Sequence, residues 1–193
     1  MSVHKAVTID AAYPPPACPP GIAGVLGYIG GPLVTHTWPT AAWLPFAHVR
    51  QFPLYVGDLG RDPAPQASQA VDRMFALGWS PWLGGAARRA LIIDLETGAD
   101  PAWYERFAAV VLRGGYVPVV YGSASTVLGN AASDVLVAEW DNMPDIPPGQ
   151  TIRGIQYKSD VPLENTKVDY SVIDDWLLAR GGIGPRRQSA VFR

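Results

Sequence analysis

Leu91-Ile92-Ile93-Asp94-Leu95-Glu96 is a run of bulky aliphatic residues that closes on two carboxylates with a single leucine between them. A strand with one wet face alternates apolar and polar residues. A run that is apolar at every position is buried on both faces, as in a parallel sheet covered by helices. The same pattern recurs at Ala6–Asp10, Val25–Ile29, Pro53–Gly57, Val117–Tyr121, Val135–Trp140, Arg153–Tyr157 and, more briefly, Val168–Tyr170. Helical spacing of Ala70, Val71, Met74, Phe75 and Leu77 predicts a helix over Pro65–Leu77. A second is predicted over Asp100–Arg113, with Asp100 as N-cap, Pro101 in the first turn, Trp103, Phe107, Val110 and Val111 on one face, and Gly114-Gly115 as its stop. A third is predicted over Ser171–Arg180, with Ile173, Trp176 and Leu177 inward. Eight strands with helices between them predict an α/β fold, a small irregular (β/α)8-type (TIM-like) barrel. Tyr157 to Val168 leaves room only for a loop, so helices are missing from part of the ring; an open doubly wound sheet is the alternative.

The 193 residues suit one barrel domain, residues 1–180, followed by a flexible basic tail, residues 181–193, with Arg186, Arg187 and Arg193. Fifteen Lys and Arg against seventeen Asp and Glu give a net charge of −2, which speaks against a nucleic-acid binder. One cysteine, Cys18, excludes an intrachain disulfide or a cysteine zinc cluster. His4, His36 and His48 have no metal-ligand spacing, so no metal or cofactor is expected. The first apolar run stops at Asp10, too short for a secretory signal, and no stretch approaches the ~20 apolar residues of a membrane span. The expectation is synthesis in a host cytoplasm without an export address.

Reactive groups of a parallel barrel gather where its strands end. That rule selects Asp10, Asp94 and Glu96, Tyr121, Glu139 and Trp140, Gln156 and Tyr157, and Asp169. Asp94 and Glu96, two apart on a strand, point to the same side about 6.5–7 Å apart along the chain. Two carboxyls in one mouth repel, and the more buried one keeps its proton towards neutral pH. A protonated carboxyl beside an ionised one is what glycosidic bond cleavage needs. Two solvated carboxylates at a strand end are the alternative.

Ile9-Asp10, Asp94-Leu95-Glu96, Pro118-Val119-Val120-Tyr121-Gly122-Ser123, Val137-Ala138-Glu139-Trp140, Gly154-Ile155-Gln156-Tyr157 and Val168-Asp169-Tyr170 occur in that order. Together they resemble the strand ends of glycoside hydrolase family 25, the lysozymes that cleave peptidoglycan. Leu26-Gly27-Tyr28-Ile29-Gly30-Gly31 is more similar to the related glycoside-hydrolase-like domains of actinobacterial proteins. The resemblance runs to about Leu178. It implies Glu96 as general acid, with Asp94, Asp10 and Asp169 as the other catalytic carboxylates. Asp94 would assist the oxocarbenium-like centre directly or through the acetamido group, and Asp10 and Asp169 would set the local field. Tyr121, Trp140, Gln156 and Tyr157 would bind the glycan. The chain departs from the family after Asp10, where Ala11-Ala12-Tyr13 and a proline-rich loop replace Asp-Val-Ser, and after Trp140, where Asp141-Asn142 follows.

The implied function is a peptidoglycan-directed glycosidase, muramidase-like and associated with a phage or prophage, acting at the wall or within a virion. The alternatives are a silent or wall-recognising barrel that serves as a structural part of a phage particle, its tail docking phage proteins, and a cytoplasmic glycosidase for a small sugar conjugate. Trp38, Trp43, Trp79 and Trp82 could line a groove or pack in the core, packing being favoured for each; Trp103 and Trp176 fit helix faces and are expected in the core.

Overall fold

The computed structural model describes residues 5–84, 87–96, 98–130, 134–146 and 151–183. Its strands are β1 (Lys5–Ala11), β2 (Gly24–Gly30), β3 (Arg50–Val56), β4 (Trp82–Gly84), β5 (Ala87–Arg88), β6 (Ala90–Asp94), β7 (Val117–Ser123), β8 (Val135–Ala138), β9 (Ile152–Leu163) and β10 (Thr166–Asp174). Its helices are α1 (Pro63–Ala76), α2 (Pro101–Arg113), α3 (Ala124–Asn130) and α4 (Asp175–Leu178), with a 3-10 turn over Thr40–Phe46. Eight strands close into a barrel in the order β1-β10-β9-β8-β7-β6-β3-β2, and β4 pairs with β5 apart from it. The barrel is therefore closed, and the open-sheet alternative falls away.

Strand parity splits the core into two compartments. Leu91, Ile93 and Leu95 join Trp103, Phe107 and Val111 of α2 in the shell outside the barrel. Ala90 and Ile92 join Leu26, Phe52, Leu54, Val119, Tyr121, Leu136 and Ile173 in its interior. Each strand is apolar on both sides because it serves both compartments. α2 begins as the sequence predicts, Asp100 accepting a bond from the Trp103 N–H ahead of Pro101, whereas α1 begins two residues before the expected Pro65, with Asp62 accepting from the Ala64 N–H ahead of Pro63. Trp103 is buried, as are Trp38, Trp43 and Trp79, which form a ring cluster with Phe46, whereas Trp82 is exposed under Arg88 on the small hairpin.

The last third departs from expectation. The loop expected between Tyr157 and Val168 is instead the extended arm of a hairpin, β9 paired antiparallel with β10 from Thr166–Leu163 to Ile173–Gly154. The helix expected over Ser171–Arg180 is strand to Asp174, and only Asp175–Leu178 is helical. Ile173 is β-branched and fills the barrel interior, a packing gain that outweighs local helical spacing. Trp176 is only half-buried: it packs against the edge of the interior cluster, with the guanidinium groups of Arg153 and Arg180 4.3 and 3.8 Å from its ring centre. Because β10 runs against its neighbours on both sides, the barrel is mixed, not wholly parallel.

Gly181 and Gly182, at the start of the expected tail, bond to the barrel; Gly182 pairs with Gln51. Residues 184–193, with Arg186, Arg187 and Arg193, lie outside the described residues. No helix among the described residues is long and apolar enough to cross a membrane.

Candidate active site

Parity and register build the site at the rim where the parallel strands end. Leu95 is held in the shell, its backbone N–H bonded to the Tyr121 carbonyl at 2.9 Å, while the Gly57 N–H bonds to the Asp94 carbonyl. Glycine flanks it on both sides. A Cβ on Gly57 would sit 2.6 Å from Leu95 Cδ2, and one on Gly122, at φ +155°, 2.5 Å from the Leu95 carbonyl oxygen. With Leu95 fixed outward, Asp94 and Glu96 both turn towards the cleft. Asp94 is 1% exposed and forms its floor, in register with Val56 and Tyr121; Glu96 is exposed at its mouth. Both line a cavity of about 200 Å³ with Tyr28, Leu33, Val34 and His36.

Asp10 lies opposite Asp169 in the antiparallel β1–β10 register. Asp169 was expected at the end of a parallel strand. It reaches the same rim because it lies near the start of a strand that runs the other way. Its two oxygens accept bonds from Gln156 Nε2 at 2.6 Å and from the Asp160 N–H at 2.7 Å. Gln156 Oε1 accepts from the Tyr121 hydroxyl and from Trp140 Nε1, the latter at 3.0 Å. Both ends of the Gln156 amide are thus fixed, and the Trp140 ring, 62% exposed, is anchored by its edge at the mouth.

Burial raises Asp10 well above the ordinary carboxylate range, and the charges of Asp169 and then Asp94 raise it further. Burial, then Glu96, does the same to Asp94, while the Tyr28 hydroxyl favours its ionised form. Asp169 is also raised, chiefly by burial, although the bonds it accepts from the Asp160 N–H and Gln156 pull the other way. Asp10 Oδ2 and Asp94 Oδ1 are buried without a hydrogen-bond partner among the described residues. The buried, proton-retaining member of the Asp94–Glu96 pair is therefore Asp94, and Glu96 is the accessible one. The structure brings Asp10, Asp94, Glu96, Asp169, Tyr121, Gln156 and Trp140 to one rim. It does not bring Tyr157 there: one residue past Gln156, its side chain packs in the outer shell. Trp140 and Glu139 lie beyond β8, which ends at Ala138.

Two features went unforeseen. Tyr28 lies inside the expected strand Val25–Ile29 and within the Leu26–Gly31 likeness but was given no role, although its parity with Leu26 would have placed it over Asp94. The hairpin arm that carries Asp160 and Lys167 was expected as loop, so its residues drew no attention. Among the described residues no cluster of three or more His, Cys, Asp or Glu is arranged to hold a metal ion.

No family model matches the chain, and no curated protein does. Solved structures share its fold. An uncharacterized protein of B. stearothermophilus superposes with a TM-score of 0.66 at 15% identity, covering 91% of this chain and 99% of that one. The catalytic domain of endolysin ply40, from bacteriophage P40 of Listeria monocytogenes, gives 0.63 at 13%, covering 94% and 100%. A muramidase from Trichobolus zukalii gives 0.65 at 16%, covering 91% and 99%. At these identities the likeness establishes the barrel fold.

Proposed function

We propose that the protein is a glycoside hydrolase of the muramidase type, acting on the peptidoglycan of bacterial cell walls. The observation that carries this is the Asp94–Glu96 pair: one carboxyl buried on the cleft floor, the other two residues on and exposed at the mouth, with Asp10 and Asp169 facing each other beside them. Glu96, the exposed member, delivers a proton to the glycosidic oxygen as the bond from that oxygen to the sugar's anomeric carbon breaks, and Asp94 on the cleft floor lies beside the oxocarbenium-like carbon that forms. Water adds its hydroxyl to that carbon and returns its proton to Glu96. Asp10 and Asp169 bear on the local field, and Gln156, Tyr121 and Trp140 position the glycan. The fold shared with an endolysin catalytic domain and a muramidase supports the reading. We extend the proposal to the setting, action on the cell wall as a phage or prophage product.

Incubation with purified peptidoglycan should release new reducing ends, and Glu96→Gln should abolish the release. No release from several wall types, together with stable association with phage particles, would favour a silent, wall-recognising barrel instead.

A further inference from the structure

We infer that residues 180–182 form a strap over an anion site at the floor of the barrel, and that an oxyanion such as phosphate, held by Arg89 and Arg50, draws the strap open. The floor is the end where β6 starts, opposite the rim where it closes on Asp94. The site therefore stands apart from the cleft, and the inference does not rest on the glycosidase reading. β3 pairs with β2 from Arg50 onward, but with β6 only from Leu54 to Val56. Before Leu54 the two strands part, and the chain leaving α4 enters between them. On one side the Ala90 N–H bonds to the Arg180 carbonyl at 3.0 Å. On the other the Gln51 N–H bonds to the Gly182 carbonyl at 2.7 Å, and the Gly182 N–H returns a bond to the Gln51 carbonyl at 3.1 Å.

What the strap covers is a cation without a counter-charge. Arg89 is 5% exposed, and a Cβ on Gly182 would fall 1.4 Å from its Nη1, so the strap lies directly against the guanidinium. Arg89 Nε donates to the Ser80 carbonyl at 3.2 Å and the group stacks over Trp79, 5.2 Å from the ring centre, but Nη1 has no acceptor among the described residues. Its ionisable neighbours are Tyr116 and Arg50, neither of them an anion at neutral pH. Burial, then Arg50, pushes Arg89 down to about 10 while Tyr116 pulls the other way, which leaves it charged at neutral pH. Trp43 Nε1 and Trp79 Nε1, in rings 4.6 Å apart, are buried donors that also lack partners, against one such acceptor, Gln51 Oε1. Gln51 ties this group to the strap, since its Nε2 donates to the Trp43 carbonyl at 2.9 Å and its backbone pairs with Gly182. Buried donors in excess and a buried charge are costly unless an anion meets them. Arg50 is the second guanidinium at the strap, its Nη1 resting on the Gly181 carbonyl at 3.3 Å. Lifting the strap frees both arginine forks, whose planar donors suit an oxyanion, and a ligand that binds only the open form shifts the population towards it.

Amide hydrogen exchange on the full chain reads the strap directly, at the Gln51 and Gly182 N–H groups that pair across it. It is measured in sodium phosphate and in sodium chloride at equal pH and ionic strength. Phosphate should speed exchange at both amides at least about threefold. The sign is diagnostic, because the general effect of phosphate on a folded protein is to strengthen burial and slow exchange. The Leu95 N–H, bonded to the Tyr121 carbonyl at the opposite rim, should not accelerate. Arg89→Met keeps the bulk and removes the charge, so phosphate should lose its accelerating effect in that variant. Equal or slower exchange at Gln51 and Gly182 in phosphate overturns the proposal without any variant. Acceleration that extends equally to Leu95, or that survives in Arg89→Met, overturns it as well. None of these results bears on reducing-end release from peptidoglycan, so the strap and the glycosidase reading stand or fall separately.

Discussion

Asp10 and Asp169 stand directly opposite each other across β1 and β10, yet among the described residues hydrogen-bond donors reach both oxygens of Asp169 and none reaches Asp10 Oδ2. The asymmetry makes Asp10 the member of the pair that keeps its proton.

Stability should therefore depend on pH. Asp10 and Asp94 both titrate above their unfolded values, so the folded protein holds protons that the unfolded chain releases above about pH 4. Stability is greatest below that point, falls as pH rises through the raised values, and levels off beyond them. Thermal unfolding between about pH 4 and pH 9 should show this decline. Asp94→Asn should flatten it and raise Tm at neutral pH, by about 2–4 °C for each kcal/mol recovered. A lower Tm for Asp94→Asn at neutral pH would contradict the account.

Glu96→Gln should separate activity from stability. Glu96 is exposed and its neighbour Leu95 holds the backbone, so unfolding should move by no more than about 0.5 kcal/mol. Reducing-end release should fall by about 10²–10⁴, the usual worth of a general acid.

Gln156→Leu should do both kinds of damage. It leaves the buried Tyr121 hydroxyl and the Trp140 N–H without their acceptor, at about 1–3 kcal/mol for a stranded buried group. It also removes a donor that favours ionised Asp169. The acid limb of the activity profile should then shift to higher pH, which a purely structural loss would not cause. Trp140→Phe keeps an aromatic ring but not the bond to Gln156, so its Tm loss should be smaller.

Gly122→Ala and Gly57→Ala test the placement of the pair. The Gly122 Cβ would sit 2.5 Å from the Leu95 carbonyl oxygen, so the backbone that carries Asp94 and Glu96 must move; the Gly57 Cβ meets the tips of the Leu95 and Ile93 side chains, so Gly57→Ala should be the milder change. The overpacking should cost about 1–3 kcal/mol. A displacement of about 1 Å at the reacting groups should lower kcat by about 10². Circular dichroism should remain that of a folded barrel while activity falls.

The sequence by itself determined the barrel class, the two longer helices and the carboxylates Asp10, Asp94 and Glu96. Each follows from a local signal: a doubly apolar run, helical spacing of apolar residues, an acid where a strand gives out. Asp169 was selected by the same rule but reaches the rim from near the start of β10. Tertiary structure alone decided the rest. The direction of β10 depends on pairing with both β1 and β9, and no residue in Thr166–Asp174 announces that pairing locally. Which carboxyl of the Asp94–Glu96 pair is buried, and why Tyr157 turns away while Gln156 points in, depends on parity within a closed sheet. The floor of the barrel closes because Gly182 pairs with Gln51, roughly 130 positions earlier in the chain, a contact between distant segments that neither encodes alone.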